Sequence, residues 1–200
     1  ASLLTGLYQH QAGIGRMTFD DHLPGYRGTL SKNAVTIAEV LRGAGYHTGM
    51  VGKWHIAETP LRPDQREWLH VYHEEFADKI NYPTHRGFEK FYGTIYGVVN
   101  YFDPFSLVDG EEPVREVPEG YYVTDDLSQR AVSYVNEYAK DDKPFFLYLS
   151  YTAPHWPLHA LPEDIEKYKD TYKVGWEAIR NRRYERIKQL GIFPGQEDFL

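Results

Sequence analysis

Phe145-Phe146-Leu147-Tyr148-Leu149 is an unbroken apolar run set between Asp141-Asp142-Lys143-Pro144 and Ser150-Tyr151-Thr152. It has no polar residue to give it a wet face. A run of that length reads as a strand buried on both sides, the mark of a parallel sheet between helix layers. The segment before it reads as a helix. Leu127, Ala131, Val135 and Tyr138 recur at helical spacing, and Thr124 or Asp125 stands where an N-cap is wanted. Asp125-Asp126 complement the helix dipole, and Pro144 breaks the element.

A second helix–strand pair lies earlier. Thr36 and Glu39 form a capping box, Val35 and Val40 the matching staple, and Ala34, Ile37, Ala38 and Leu41 share a helical face. Gly43 and Gly45 stop that helix, and His47 to Gly52 follows as a short strand. Gln9 to Asn33, glycine-rich and aperiodic, is a long irregular loop. Glu67 to Lys79 has the spacing of a surface helix, Phe91 to Val99 is a strand, and Leu107-Val108, Asp109-Gly110 and Val114 form a hairpin suited to a type I′ turn. Pro162 opens a helix towards Tyr168. Val174 to Leu190 is amphipathic through Trp176, Ile179, Ile187 and Leu190, with Arg180, Arg182, Arg183 and Arg186 as its solvated face, and Gly191 and Pro194 end it. The order predicts an α/β sandwich, in which ligands sit beyond the carboxyl ends of the strands.

Composition narrows the chemistry. The 200 residues carry 22 Lys+Arg against 29 Asp+Glu, a net charge of −7, which excludes a general polyanion or nucleic-acid binder. With 42% hydrophobic residues the chain is not disordered, and zero cysteines exclude a disulfide framework, a thiolate zinc site and a cysteine nucleophile within it. No apolar run approaches the ~18–20 residues of a membrane helix. The opening residues show no charged n-region or apolar h-region, so no signal peptide is visible in them, and a targeting segment is expected upstream of Ala1. The 17 tyrosines suit an enzyme interior or a sugar-facing cleft, though ordinary core and surface tyrosines are the simpler account.

Two segments put ionisable groups just past predicted strand ends: Gly52-Lys53-Trp54-His55 and Thr152-Ala153-Pro154-His155. If both strands share one parallel sheet, Lys53, His55 and His155 converge on one edge. A lysine and two histidines there supply positive charge and proton transfer near neutral pH, which suits a tetrahedral anion such as sulfate or phosphate. Other candidates are weaker. His70 and His73 sit at i, i+3, and His155 and His159 are four apart with Pro157 between them, so a metal role is not expected for either pair. Asp20-Asp21 is better read as a solvated turn than as a calcium site.

Four blocks of the sequence resemble the sulfatase family, in family order. Ala1-Ser2-Leu3-Leu4-Thr5-Gly6 is similar to the second half of its first signature, whose first residue becomes formylglycine. Gly45-Tyr46-His47-Thr48-Gly49-Met50-Val51-Gly52-Lys53-Trp54-His55 resembles the second signature. Arg86-Gly87-Phe88-Glu89-Lys90-Phe91-Tyr92-Gly93 and Pro144-Phe145-Phe146-Leu147-Tyr148-Leu149 through Ala153-Pro154-His155-Trp156-Pro157 resemble later blocks. The resemblance implies an alkaline-phosphatase-like α/β sandwich with a mostly parallel central sheet, of which residues 1–200 are the central part of the catalytic domain. It implies that Lys53 binds a sulfate oxygen, that His55 hydrogen-bonds the formylglycine hydrate and helps expel sulfate, and that His155 contacts sulfate and helps protonate the leaving alcohol or phenol. The implied reaction is attack by an oxygen of the formylglycine hydrate on sulfur, release of the alcohol, then release of sulfate. The formylglycine precursor would lie just before Ala1, and the calcium ligands and a second active-site lysine outside the chain. No metal ligand is therefore expected among these residues, and the 200 residues alone are expected to be inactive. Expected partners are a sulfated small molecule or polysaccharide, with no nucleic acid and no membrane segment. Family habit implies a periplasmic or secreted protein. The rival readings are a phosphonate monoester or phosphodiester hydrolase of the same superfamily and a non-catalytic sulfated-glycan-binding domain.

Overall fold

The computed structural model describes residues 1–57 and 78–192. The expected helix over Glu67 to Lys79, the pair His70 and His73, and Pro194 lie wholly or largely outside the described residues, Lys79 itself opening a short 3₁₀ turn, Lys79–Asn81. Two compact units are present, Ala1–Leu158 and His159–Leu200.

In the first unit the elements follow in the order α1 (Ser2–Thr5), α2 (Ile37–Gly43), β1 (His47–Gly52), β2 (Lys90–Thr94), β3 (Leu107–Asp109), β4 (Glu112–Pro113), α3 (Val123–Tyr138) and β5 (Phe145–Ser150). They build one five-stranded sheet in the order β4-β3-β2-β1-β5. β1 runs parallel to β2 and to β5, with His47 opposite Phe145 through Gly52 opposite Ser150. β3 and β4 extend it as an antiparallel hairpin. The turn of that hairpin differs from expectation. Asp109 pairs with Glu112, so the central residues are Gly110 and Glu111, and only Gly110 has a positive φ. A type I′ turn needs both central residues at positive φ.

The period-2 alternation of strands sorts the core into two layers. Met50, Phe91 and Val108 join Leu4, Ala34, Ala38, Trp54 and Phe88 on the face covered by α1 and α2. Val51, Tyr92 and Leu107 join Leu127, Ala131, Tyr134 and Tyr138 of α3 on the other. The strand buried on both faces is β1, not β5. β5 pairs only with β1 among the described residues, and Phe145 and Leu149 remain 40% and 37% exposed. The all-apolar run therefore marks a strand at the sheet's edge here.

The capping box forms as expected. Glu39 N–H donates to the Thr36 hydroxyl, and the Glu39 carboxylate accepts from Thr36 N–H at 2.7 Å. Ile37 and both staple valines, Val35 and Val40, are exposed, so α2 buries only Ala38. α3 begins at Val123 without a side-chain cap. Asp126 instead accepts the hydroxyls of Tyr92 and Tyr121 on one carboxylate oxygen. Burial, then that hydrogen bond, pushes the Tyr92 phenol up to about 12. Asp20 and Asp21 lie in the loop as predicted, and arginines pair with them: Arg27 with Asp20 at 3.1 Å and Arg16 with Asp21 at 3.4 Å.

The second unit carries α4 (Pro162–Tyr168), opened by Pro162, and α5 (Trp176–Gln189). The four arginines of α5 face solvent, but its apolar stripe buries nothing: Trp176 is 92% exposed and Leu190 55%.

Candidate active site

The parallel trio β2-β1-β5 brings its carboxyl ends together, and both predicted segments leave from that edge. Lys53 is the first residue past β1. Its N–H donates to the Ser150 carbonyl at 2.7 Å, and the Ser150 hydroxyl donates to the Lys53 carbonyl at 2.9 Å. This reciprocal pair ties the exit of β1 to the exit of β5. The tie requires Gly52, which has φ +119°, and a Cβ there would stand 1.9 Å from the Ser150 carbonyl oxygen. The chain then continues alongside the exit of β2: Trp54 N–H donates to Thr94 O at 2.9 Å and His55 N–H to Ile95 O at 3.1 Å. The buried Trp54 indole N–H reaches Asn81 O at 2.8 Å, which pins the segment from its far side.

His55 takes φ +50°, unusual for a residue with a side chain, and its ring lies 6.0 Å from the ring of Tyr96. Burial foremost, then the positive charges of Lys53 and His155, lower its pKa from 6.5 to about 4. The exits of β1 and β5, which carry Lys53 with His55 and His155, meet at one edge, as the parallel pairing predicts. At neutral pH His55 is an uncharged imidazole, able to accept a proton. The Lys53 ammonium is half-buried and its pKa is lowered by that burial. Among the described residues no carboxylate forms a salt bridge with it.

His155 follows β5 on a turn whose N–H donates to Thr152 O at 2.9 Å. Its Nδ1 lies 2.7 Å from the Trp156 carbonyl. A carbonyl only accepts, so Nδ1 carries the proton and Nε2 is the nitrogen that exchanges one with a ligand. The Tyr101 hydroxyl, on an otherwise fully buried side chain, donates to the His155 carbonyl at 2.8 Å. Residues 155–159 form turns rather than a helix, so His155 and His159 make no helical ligand pair. Tyr101 and Gly97, which lies against the His55 ring, carry no periodic or motif signal in the sequence and are visible only in the fold.

The donor set fits an anion and not calcium, which binds through oxygens. Among the described residues no group of three or more His, Asp or Glu is placed to hold a metal ion, and no helix is long and apolar enough to cross a membrane. The arrangement offers one fixed cation, one neutral base held away from water, and one exposed imidazole with a defined tautomer. Together these can bind a tetrahedral anion, take a proton on one side of it and deliver one on the other.

The chain as a whole is similar to known proteins. The arylsulfatase of Klebsiella aerogenes is 32% identical over 200 residues, covering 95% of this chain and 39% of that protein. An uncharacterized sulfatase of Schizosaccharomyces pombe is 29% identical, covering 96% of this chain and 35% of that protein. The chain thus spans little more than a third of the length of these relatives. Among solved structures, Ps i-CgsB superposes with a TM-score of 0.62 at 30% identity, over 86% of this chain and 37% of its own. Its complex with k-i-k-neocarrahexaose gives 0.61 over 84% and 36%. These neighbours share the alkaline-phosphatase-like α/β fold. The sulfatase family model matches residues 1–190, and this chain belongs to the sulfatase family.

Proposed function

We propose that this chain is the central part of the catalytic domain of an enzyme that hydrolyses sulfate esters, either aryl sulfates or sulfated carbohydrates, and that Lys53, His55 and His155 carry its share of the chemistry. The observation that supports this most is the parallel pairing of β1 with β5, closed by the double hydrogen bond between Lys53 and Ser150, which brings the segments carrying Lys53, His55 and His155 out at one sheet edge. Lys53 binds a sulfate oxygen and compensates the charge that builds on the ester as the S–O bond breaks. His155, anchored through Nδ1 and its carbonyl, touches the sulfate and passes a proton from Nε2 to the departing alcohol or phenol oxygen. Neutral His55 takes a proton from the hydroxyl partner that the family supplies. A formylglycine hydrate, contributed by a residue a few positions before Ala1 in the longer protein, supplies the oxygen that attacks sulfur. α1 supports that placement: Leu4, with Ala1 beside it, packs in the same apolar cluster as Trp54 and Ile56, the two neighbours of His55. The calcium of the family resemblance would be held elsewhere in the longer protein, and no step here runs through it.

The carbohydrate branch of this reading draws on relatives such as the N-acetylglucosamine-6-O-sulfatase of Bacteroides thetaiotaomicron, 26% identical over 171 residues. Export to the periplasm or outside the cell follows from the same resemblance. The test uses a full-length protein carrying this chain. Lys53→Ala is expected to lower kcat/KM on an aryl sulfate by roughly 10²–10³-fold, the usual loss of one charge-stabilising donor. A wild-type protein that turns over phenyl phosphonate much faster than any sulfate ester would overturn the assignment. So would a Lys53→Ala variant of unchanged rate.

A further inference from the structure

Gly97 lies three residues past β2 and is buried. A Cβ built on it would stand 2.1 Å from His55 Cε1, 2.1 Å from Nδ1 and 2.4 Å from Nε2. Those are its three nearest heavy atoms, and all belong to one imidazole. Near-equal distances to Cε1 and to both flanking nitrogens put the point over the face of the ring rather than at its edge. The backbone of Gly97 is not in the left-handed region, so the residue there is not demanded by φ. What it supplies is space. The His55 ring is laid flat against bare backbone, while the His55 backbone N–H is held by Ile95 O at 3.1 Å and the Tyr96 ring flanks the imidazole at 6.0 Å.

We propose that Gly97 is a positioning residue for the reaction, the floor that sets where the His55 imidazole stands relative to Lys53 and His155. The inference rests on the role proposed for His55 above. Any side chain at 97 must lift the ring by more than ~1 Å to reach ordinary contact, and a misplacement of that size costs roughly 10²-fold in rate. It also moves the ring towards water, which weakens the largest cause of its depressed pKa, burial.

The experiment compares wild type, Gly97→Ala, His55→Ala and the double variant in the full-length protein, reading aryl sulfate kinetics and Tm. Gly97→Ala is expected to lower kcat ~10²-fold with KM little changed, because Lys53 and His155 are untouched, and to move the acid limb of the rate profile upward. It is expected to lower Tm in the wild-type background and to have no effect on Tm or rate once His55 is Ala, since the atoms it strikes are gone. If Gly97→Ala does not fold, the double variant is expected to fold. Gly97→Ala within about twofold of wild-type rate with its acid limb unmoved, an equal Tm loss in both backgrounds, or a double variant that also fails to fold overturns the inference. A wild-type protein that cleaves no sulfate ester defeats the proposed function instead, and the Tm cycle still decides whether Gly97 supports His55.

Discussion

Arg86 is the buried charge whose removal the structure allows to be worked through. Its side chain is 8% exposed and spends its donors on one carboxylate and three carbonyls. Nε donates to Glu39 at 3.1 Å, Nη1 to Leu30 O at 3.1 Å, and Nη2 to Ser31 O at 3.3 Å and to Ala34 O. Its own carbonyl accepts the Thr36 hydroxyl at 2.8 Å, so the guanidinium and the N-terminus of α2 form one hydrogen-bonded knot. Arg86→Met preserves much of the apolar stem and strands the acceptors. Glu39 keeps about a third of its side chain in water and can be resolvated, so the penalty falls mainly on the carbonyls. A stranded buried acceptor costs ~1–3 kcal/mol, these costs are not additive, and breaking a buried pair costs ~3–5 kcal/mol; partial resolvation of Glu39 puts the expected loss near ~3–4 kcal/mol. Arg86→Lys keeps the charge but brings a single ammonium, which cannot span acceptors disposed for a planar fork, and about half that loss is expected. Urea unfolding of the full-length protein, with the slope unchanged so that the midpoint reports stability, measures both. Loss below ~1 kcal/mol for Met, or equal losses for Met and Lys, would refute this account of the knot.

Two further predictions concern protons. Because His55 has a pKa of about 4 and acts as a base only when neutral, kcat/KM on an aryl sulfate should hold as pH falls from 7 to 5 and drop on crossing that value; an acid limb near 6.5 would show that His55 is not the group. At the opposite end of β1, His47 meets Asp141 through Nε2 at 2.7 Å and Glu89 through Nδ1 at 3.4 Å, and stacks on Tyr138 at 5.1 Å. The Asp141 hydrogen bond raises the His47 pKa above 6.5 and lowers that of Asp141 below 3.8. The His47 contribution is thus complete below 6.5 and lost as pH climbs through the raised value, while the Asp141 contribution is complete above 3.8 and lost as pH falls through the lowered one. The Tm gap between wild type and His47→Gln should be widest between those pH values and narrow on the alkaline side. A gap that does not vary with pH would count against the pair.

What the sequence made legible was local or strand-periodic. The capping box at Thr36 and Glu39, the bounds of β1 and β5, and the stop at Gly43 follow from chemistry within a few residues, and each appears where expected. The two-layer core follows from alternation, since Met50 and Val51 must face opposite ways. The convergence of Lys53, His55 and His155 needed only the guess that two strands are parallel neighbours. What escaped is long-range. Nothing near Phe145 shows that its strand has one neighbour here rather than two, because burial is decided by what pairs across the sheet. Nothing near Asp126 shows two tyrosine hydroxyls arriving from Tyr92 and Tyr121, and complementing the helix dipole is its natural local account. Arg86 reads as part of a family block, yet its work is to brace a helix start 50 residues away.

The register of one strand pair bears most of the site. Lys53 and His155 stand on different loops, and what relates them is the run of six paired positions from His47–Phe145 to Gly52–Ser150, closed by the double hydrogen bond between Ser150 and Lys53. A slip of one residue would turn Met50 and Val51 to the wrong layers, so core packing on both faces holds the register that the site depends on. This separates two kinds of positional demand. Lys53 is tied at the exit of β1 by two hydrogen bonds to Ser150, and His155 is anchored through its N–H, its carbonyl and its Nδ1. His55 stands at a positive φ, and its ring lies against the bare backbone of Gly97. It is the group whose geometry a single methyl can spoil, and burial, with Lys53 and His155 beside it, lowers its pKa to about 4.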